Sequence, residues 1–146
     1  MLRKFRKLAE ITPSEWFILL QLILFSFAAA VALTLVGLSP VIGFMARCAV
    51  KPRFSFLPLL HARHEIARLA TLVDLASRVT HGQKRCLLRS VLLFWLLKAR
   101  NEPARLVIGV SKVAALLESH AWIETEGKLM GDSPEMTARF VAILRL

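Results

Sequence analysis

"CLLRSVLLFWLLKARNEPARLVIGVSK", residues 86–112, decides the fold. From Cys86 to about Arg100 it is apolar on nearly every side, through Leu87, Leu88, Val91, Leu92, Leu93, Phe94, Trp95, Leu96 and Leu97. A helix with no wet face belongs in the middle of a core. Asn101-Glu102-Pro103 interrupts the pattern, and Arg105–Val110 then reads as a strand. "HAWIET" and "KLMGD" flank Glu126-Gly127 as a hairpin, and "RFVAILRL" closes the chain as another strand. Helices come first and an antiparallel sheet follows. The pattern predicts an α+β fold with helices packed on a small sheet.

Upstream, His61–Thr80 is amphipathic at helical spacing, with Ile66, Leu69, Ala70, Val73, Ala76 and Val79 on one face. Gly82 is placed to stop that helix. Thr12-Pro13-Ser14-Glu15 reads as a capped helix start. From Trp16 to Ala46 no residue is charged, and Gly37 and Pro40 end or kink the first helix near Val36. Three arrangements fit residues 16–46. They can form a helix in or across a membrane. They can be a signal peptide, although the apolar run exceeds the usual ~7–15 residues of such a core. They can be a hydrophobic hairpin or long helix buried against the domain or docked on a partner. The proline-bearing connector "VKPRFSFLPLL" divides the chain near residue 55. Residues 1–55 are then a hydrophobic helical segment, and residues 56–146 the folded domain.

The net charge is +10 in 146 residues. By segment it is +2 over residues 1–15, zero over 16–46, +9 over 47–105 and −1 over 106–146. The basic middle suits an acidic partner or anionic lipid. No aromatic strand pattern interleaves with it, which argues against nucleic acid. Two cysteines at unrelated spacing make no disulfide framework and favour a reduced, cytosolic chain. His61, His64, His81 and Cys86 lack the spacing of a complete zinc set, so no metal or cofactor is expected.

Cys86 opens the buried helix, where free N–H groups and the helix dipole favour a thiolate, and Lys84 and Arg85 precede it. Taken alone, a cysteine there is more often a small buried residue, and a strand histidine beside Trp122 more often a packed one than a base. Cysteine at a helix start, histidine on a strand and a carboxylate on the next strand is the chain order of papain-like and transglutaminase-like sites. Asp132 is the candidate third member, and Glu118 and Glu124 are its rivals on the face of His120. A two-residue turn at Glu126-Gly127 places Asp132 opposite Ala121, on the wrong face. A three-residue bulged turn places it opposite Trp122 and beside His120. The triad is therefore expected to require the bulged turn.

Residues 86–112, "HAWIETEGKLMGDSPE" and "FVAILRL" together resemble the leader peptidase of lasso-peptide biosynthesis, the protease portion of that family's B protein. The hydrophobic start is similar to that family's N-terminal region. The likeness covers about Gln83 to the C-terminus closely. It implies a papain/transglutaminase-like core and a cysteine peptidase. Cys86 would be the nucleophile, His120 the general base and acid, and Asp132 the residue orienting the imidazole. The substrate would be a ribosomally made precursor peptide, leader and core, with threonine as the typical penultimate leader residue. The resemblance also implies an ATP-dependent lasso cyclase that takes the product. Residues 1–55 are too short for the leader-recognition domain found in some members, so a separate recognition-element protein is expected. Where papain-like sites carry an oxyanion glutamine this chain has Thr80, and Gln83 is at the wrong spacing. The side-chain oxyanion donor stays unassigned, leaving the Cys86 backbone N–H.

Overall fold

The computed structural model describes residues 11–49, 64–80, 85–113 and 116–146. Helix α1, Pro13–Leu35, starts on a capping box. The Thr12 N–H donates to the Glu15 carboxylate at 2.8 Å, and the Glu15 N–H donates to the Thr12 hydroxyl at 3.4 Å. Two orphan donors of the first turn are satisfied at once. Gly37, at φ +89°, takes the left-handed conformation that ends α1 and starts α2, Leu38–Ala49. Residues 16–46 thus fold as a helical pair. The proline connector, the division near residue 55, Gly82, His61 and His81 lie outside the described residues.

Helix α3, Ile66–Thr80, and helix α4, Arg85–Ala99, follow. Asn101, at φ 60°, closes α4, with the Glu102 N–H donating to the Leu97 carbonyl at 2.8 Å. Strand β1 is Arg105–Val113, β2 is Leu116–Thr125, β3 is Lys128–Met130 and β4 is Val141–Arg145. A single turn, α5 at Pro134–Thr137, separates β3 from β4. The four strands form one antiparallel sheet in the order β3-β2-β1-β4.

Helix α4 lies between the sheet and the other helices. Leu88, Val91, Leu92, Leu93, Phe94, Leu96 and Leu97 are all buried, against Leu106, Ala121 and Ile123 of the strands and Leu69, Leu72 and Val73 of α3. That position accounts for its lack of a wet face. The α+β arrangement is the one read from the sequence.

Helix α1 buries Ile18, Leu19, Leu22 and Ala29 in the same core. Buried Glu15 binds Arg68 of α3 at 2.5 and 3.1 Å, which fixes the start of α1 to the body. The other face of α1 leaves Phe17, Leu20, Leu24, Phe27, Val31 and Leu35 exposed. α1 is long and apolar enough to cross a membrane by length and composition. A cavity of about 640 Å³ opens between α1, α2 and α4, walled by Phe25, Ala29, Val41, Phe44 and Trp95.

Candidate active site

Cys86 is the second residue of α4, within the first turn whose N–H groups have no carbonyl partner in the helix. Its sulfur accepts from the backbone N–H groups of Leu87, in its own helix, and of Ala121, in β2. One turn on, the buried Ser90 hydroxyl donates to the Ala121 carbonyl at 2.8 Å. Both backbone groups of Ala121 are therefore held by α4, and the sulfur is fixed where the helix meets the edge of β2.

His120 precedes Ala121, so its side chain leaves the opposite face of the strand. It lies opposite Gly109 of β1. A Cβ on Gly109 would come within 2.7 Å of the Trp122 ring and 2.8 Å of the Phe140 Cβ. The glycine leaves room for the walls of the imidazole. Trp122 stacks at 6.1 Å between centroids, and Phe140 sits at 5.3 Å on a tilt. In the sequence Gly109 is one letter of "RLVIGV", with no sign of this role.

Asp132 completes the group, with Oδ1 at 3.4 Å from His120 Nε2. The route by which it arrives differs from the one expected. The turn at Glu126-Gly127 has two residues, not three. Thr125 pairs with Lys128, and both turn residues have positive φ, 49° and 76°. That is the two-residue hairpin whose twist matches the strands. The bulged turn is absent, and Asp132 reaches His120 without it. Pairing stops at Met130, and Gly131, at φ +79°, turns the chain off the strand. Counting faces past Met130 has no meaning once the ladder has ended. Ser133 then caps α5, its hydroxyl accepting the Met136 N–H at 3.3 Å. The Gly-Asp-Ser-Pro run thus holds Asp132 between a left-handed glycine and a capped turn.

The second oxygen of Asp132 is taken by Arg89, in an ion pair with both side chains largely buried, 17% and 7% exposed. Arg89 was not singled out in the sequence, where it reads as a basic residue on a helix. Its place three residues after Cys86, on the same face of α4, was the available signal. The rival carboxylates go elsewhere: Glu118 is exposed, and Glu124 accepts from Trp122 Nε1 at 3.1 Å. Gln83 and the side chain of Thr80 lie outside the described residues. Among the described residues no set of three His, Cys, Asp or Glu side chains could hold a metal.

The electrostatics follow from these contacts. The hydrogen bond from His120 lowers the Cys86 thiol below its ordinary range and outweighs burial, with help from the Ala121 and Leu87 N–H groups. Asp132 first and Cys86 second raise His120 to about 9. Burial pushes Asp132 up, but His120 and the Arg89 guanidinium together hold it below the usual carboxylate range. With Nε2 engaged by Asp132, Nδ1 is the ring nitrogen left for the sulfur. The lowered thiol, the raised imidazole and the lowered carboxyl all favour a thiolate, an imidazolium and a carboxylate in contact. Such a set can attack a carbonyl and protonate a leaving amine.

Among curated proteins and among solved structures nothing matches this chain. A family model described as the transglutaminase-like superfamily matches residues 27–145, from within α1 to the end of β4. With helices on an antiparallel sheet, and the cysteine, histidine and aspartate in that chain order, the protein belongs to the transglutaminase-like superfamily.

Proposed function

We propose that the protein is a cysteine peptidase that removes the leader from a lasso-peptide precursor. The contact of Cys86, His120 and Asp132 as a polarised set carries the reading. The superfamily includes cysteine proteases and acyltransferases, and the order and wording of the motifs favour the lasso leader peptidase among them.

The Cys86 thiolate adds to the carbonyl of the last leader residue. The oxyanion takes a hydrogen bond from the Cys86 backbone N–H. His120 gives its proton to the nitrogen as the C–N bond breaks, and the core peptide leaves with a free amine. His120, now neutral, takes a proton from water. The hydroxide displaces sulfur from the thioester, releasing the leader as a carboxylic acid and restoring the thiolate. Asp132 keeps the imidazole oriented, and Arg89 holds Asp132.

A separate recognition protein would present the leader, and an ATP-dependent cyclase would close the freed amine onto a side-chain carboxyl. The site would be cytoplasmic, with the exposed face of α1 against the recognition protein or a membrane surface. A second reading, acyl transfer to an amine, uses the same thioester.

Incubating the protein with a lasso precursor and its recognition protein, with product masses read by mass spectrometry, tests both. The expected products are leader acid and free core, lost in Cys86→Ala. Cleavage undiminished in that variant would sink the peptidase reading. A leader mass increased by an added amine would establish the transferase instead.

A further inference from the structure

Strand β3 pairs only with Ile123, Glu124 and Thr125. Among the described residues no strand lies beside β2 on that side from Leu117 to Trp122. In an antiparallel ladder the N–H and C=O of one residue point the same way, and the direction alternates along the strand. Thr125 and Ile123 face β3, because a two-residue hairpin closes on a hydrogen-bonded pair. The same parity turns Ala121, Ser119 and Leu117 toward the outer edge. Ala121 obeys it, since its N–H and C=O meet Cys86 and Ser90 there. Beyond Ala121, Ser119 is exposed and Leu117 is 74% exposed.

We propose that this edge binds the acyl side of the scissile peptide as an added strand, paired through the backbone of Ser119 and Leu117. The inference rests on Cys86 being the nucleophile. Outward-facing residues recur every ~7 Å along a strand. A chain paired with Ser119 therefore arrives, one pair further on, at the sulfur beside Ala121. This continuity selects an extended substrate over an unrelated strand, because whatever lies on the edge ends at the thiolate. The acyl side is the half that stays bonded to sulfur as a thioester, so its hold on the edge serves both steps. Strand addition reads backbone N–H and C=O groups and side chains only alternately. The subsite thus takes many side chains but no proline or N-methyl amide at a pairing position.

The test compares rates of Cys86 alkylation by an acetyl-tripeptidyl chloromethyl ketone and by iodoacetamide, which has no peptide backbone. The labelled residue is identified by mass spectrometry. The expected peptide-to-iodoacetamide rate ratio is about tenfold or more above that for a free thiol, the scale of one or two hydrogen bonds. N-methylation at one amide of the reagent should abolish that gain, and at the neighbouring amide preserve it. Ser119→Pro removes an outward N–H and no ladder bond, so it should collapse the ratio as well. A gain indifferent to N-methylation at every amide overturns the proposal, even where Ser119→Pro disturbs the strand. A reactive Cys86 with no peptide gain overturns it alone. A Cys86 inert to iodoacetamide overturns it together with the peptidase reading.

Discussion

Arg89 shows how much of this site depends on a side chain that never meets the reacting atoms. It neutralises a buried carboxylate and leaves the other oxygen of Asp132 for His120. A charge-assisted bond of this kind contributes about 1.5–3 kcal/mol, equivalent to roughly ten- to hundredfold in rate. On the peptidase reading proposed above, Arg89→Met is expected to lower kcat by that factor with KM unchanged, and Arg89→Lys to recover part of it. The wild-type pH profile belongs to the same experiment. The reactive form needs a thiolate and an imidazolium together. Cleavage should fall as pH rises through about 9, where His120 loses its proton, and on the acid side only below the ordinary thiol range. The raised His120 also stabilises the fold below its ordinary value of 6.5, and that contribution is lost as pH climbs through about 9. A kcat unchanged in Arg89→Met would remove the positioning role.

At the level of elements, most of the plan was legible and the turns were not. α4 and the strands follow from runs of apolar residues, whose periods are fixed by geometry. The hairpin register depends on whether Glu126 accepts positive φ, a cost that composition does not reveal. The approach of Asp132 depends on Gly131 ending the ladder, which strict alternation cannot foresee. Cys86, His120 and Asp132 stood out because their chemistry is distinctive. Arg89 and Gly109 did not, because an arginine on a helix and a glycine in a strand have many ordinary uses. Gly109→Ala tests the packing behind His120. The new methyl meets two aromatic residues at under 3 Å, and overpacking of that order costs about 1–3 kcal/mol. A lower Tm and a weakened histidine–aspartate contact, read by imidazole NMR, are expected. An unshifted Tm would mean that the rings yield more freely than the contacts suggest.

Across the whole molecule, the apolar first helix is part of the body rather than an appendage. Its inner face shares the core with α3 and α4, and Glu15 ties it to Arg68. The hydrogen bond from Arg68 holds Glu15 down at about 2. The carboxylate therefore stabilises the fold above its ordinary 4.5, and the contribution is lost as pH falls through about 2. Glu15→Gln should cost about 1–3 kcal/mol, since Arg68 is partly exposed and can be rehydrated. Denaturant unfolding at pH 7 measures it, and the difference from wild type should shrink at pH 3. A constant difference across that range would place the effect elsewhere than in the ion pair. The joint where one sulfur is gripped by a helix and a strand has a further consequence, in time rather than in space. The ribosome makes Cys86 well before His120 and Asp132. Until the last strands are synthesised and folded, the chain carries an ordinary thiol with no partner to ionise it. The polarised set therefore comes into being only when the strands downstream of the helix have folded onto it.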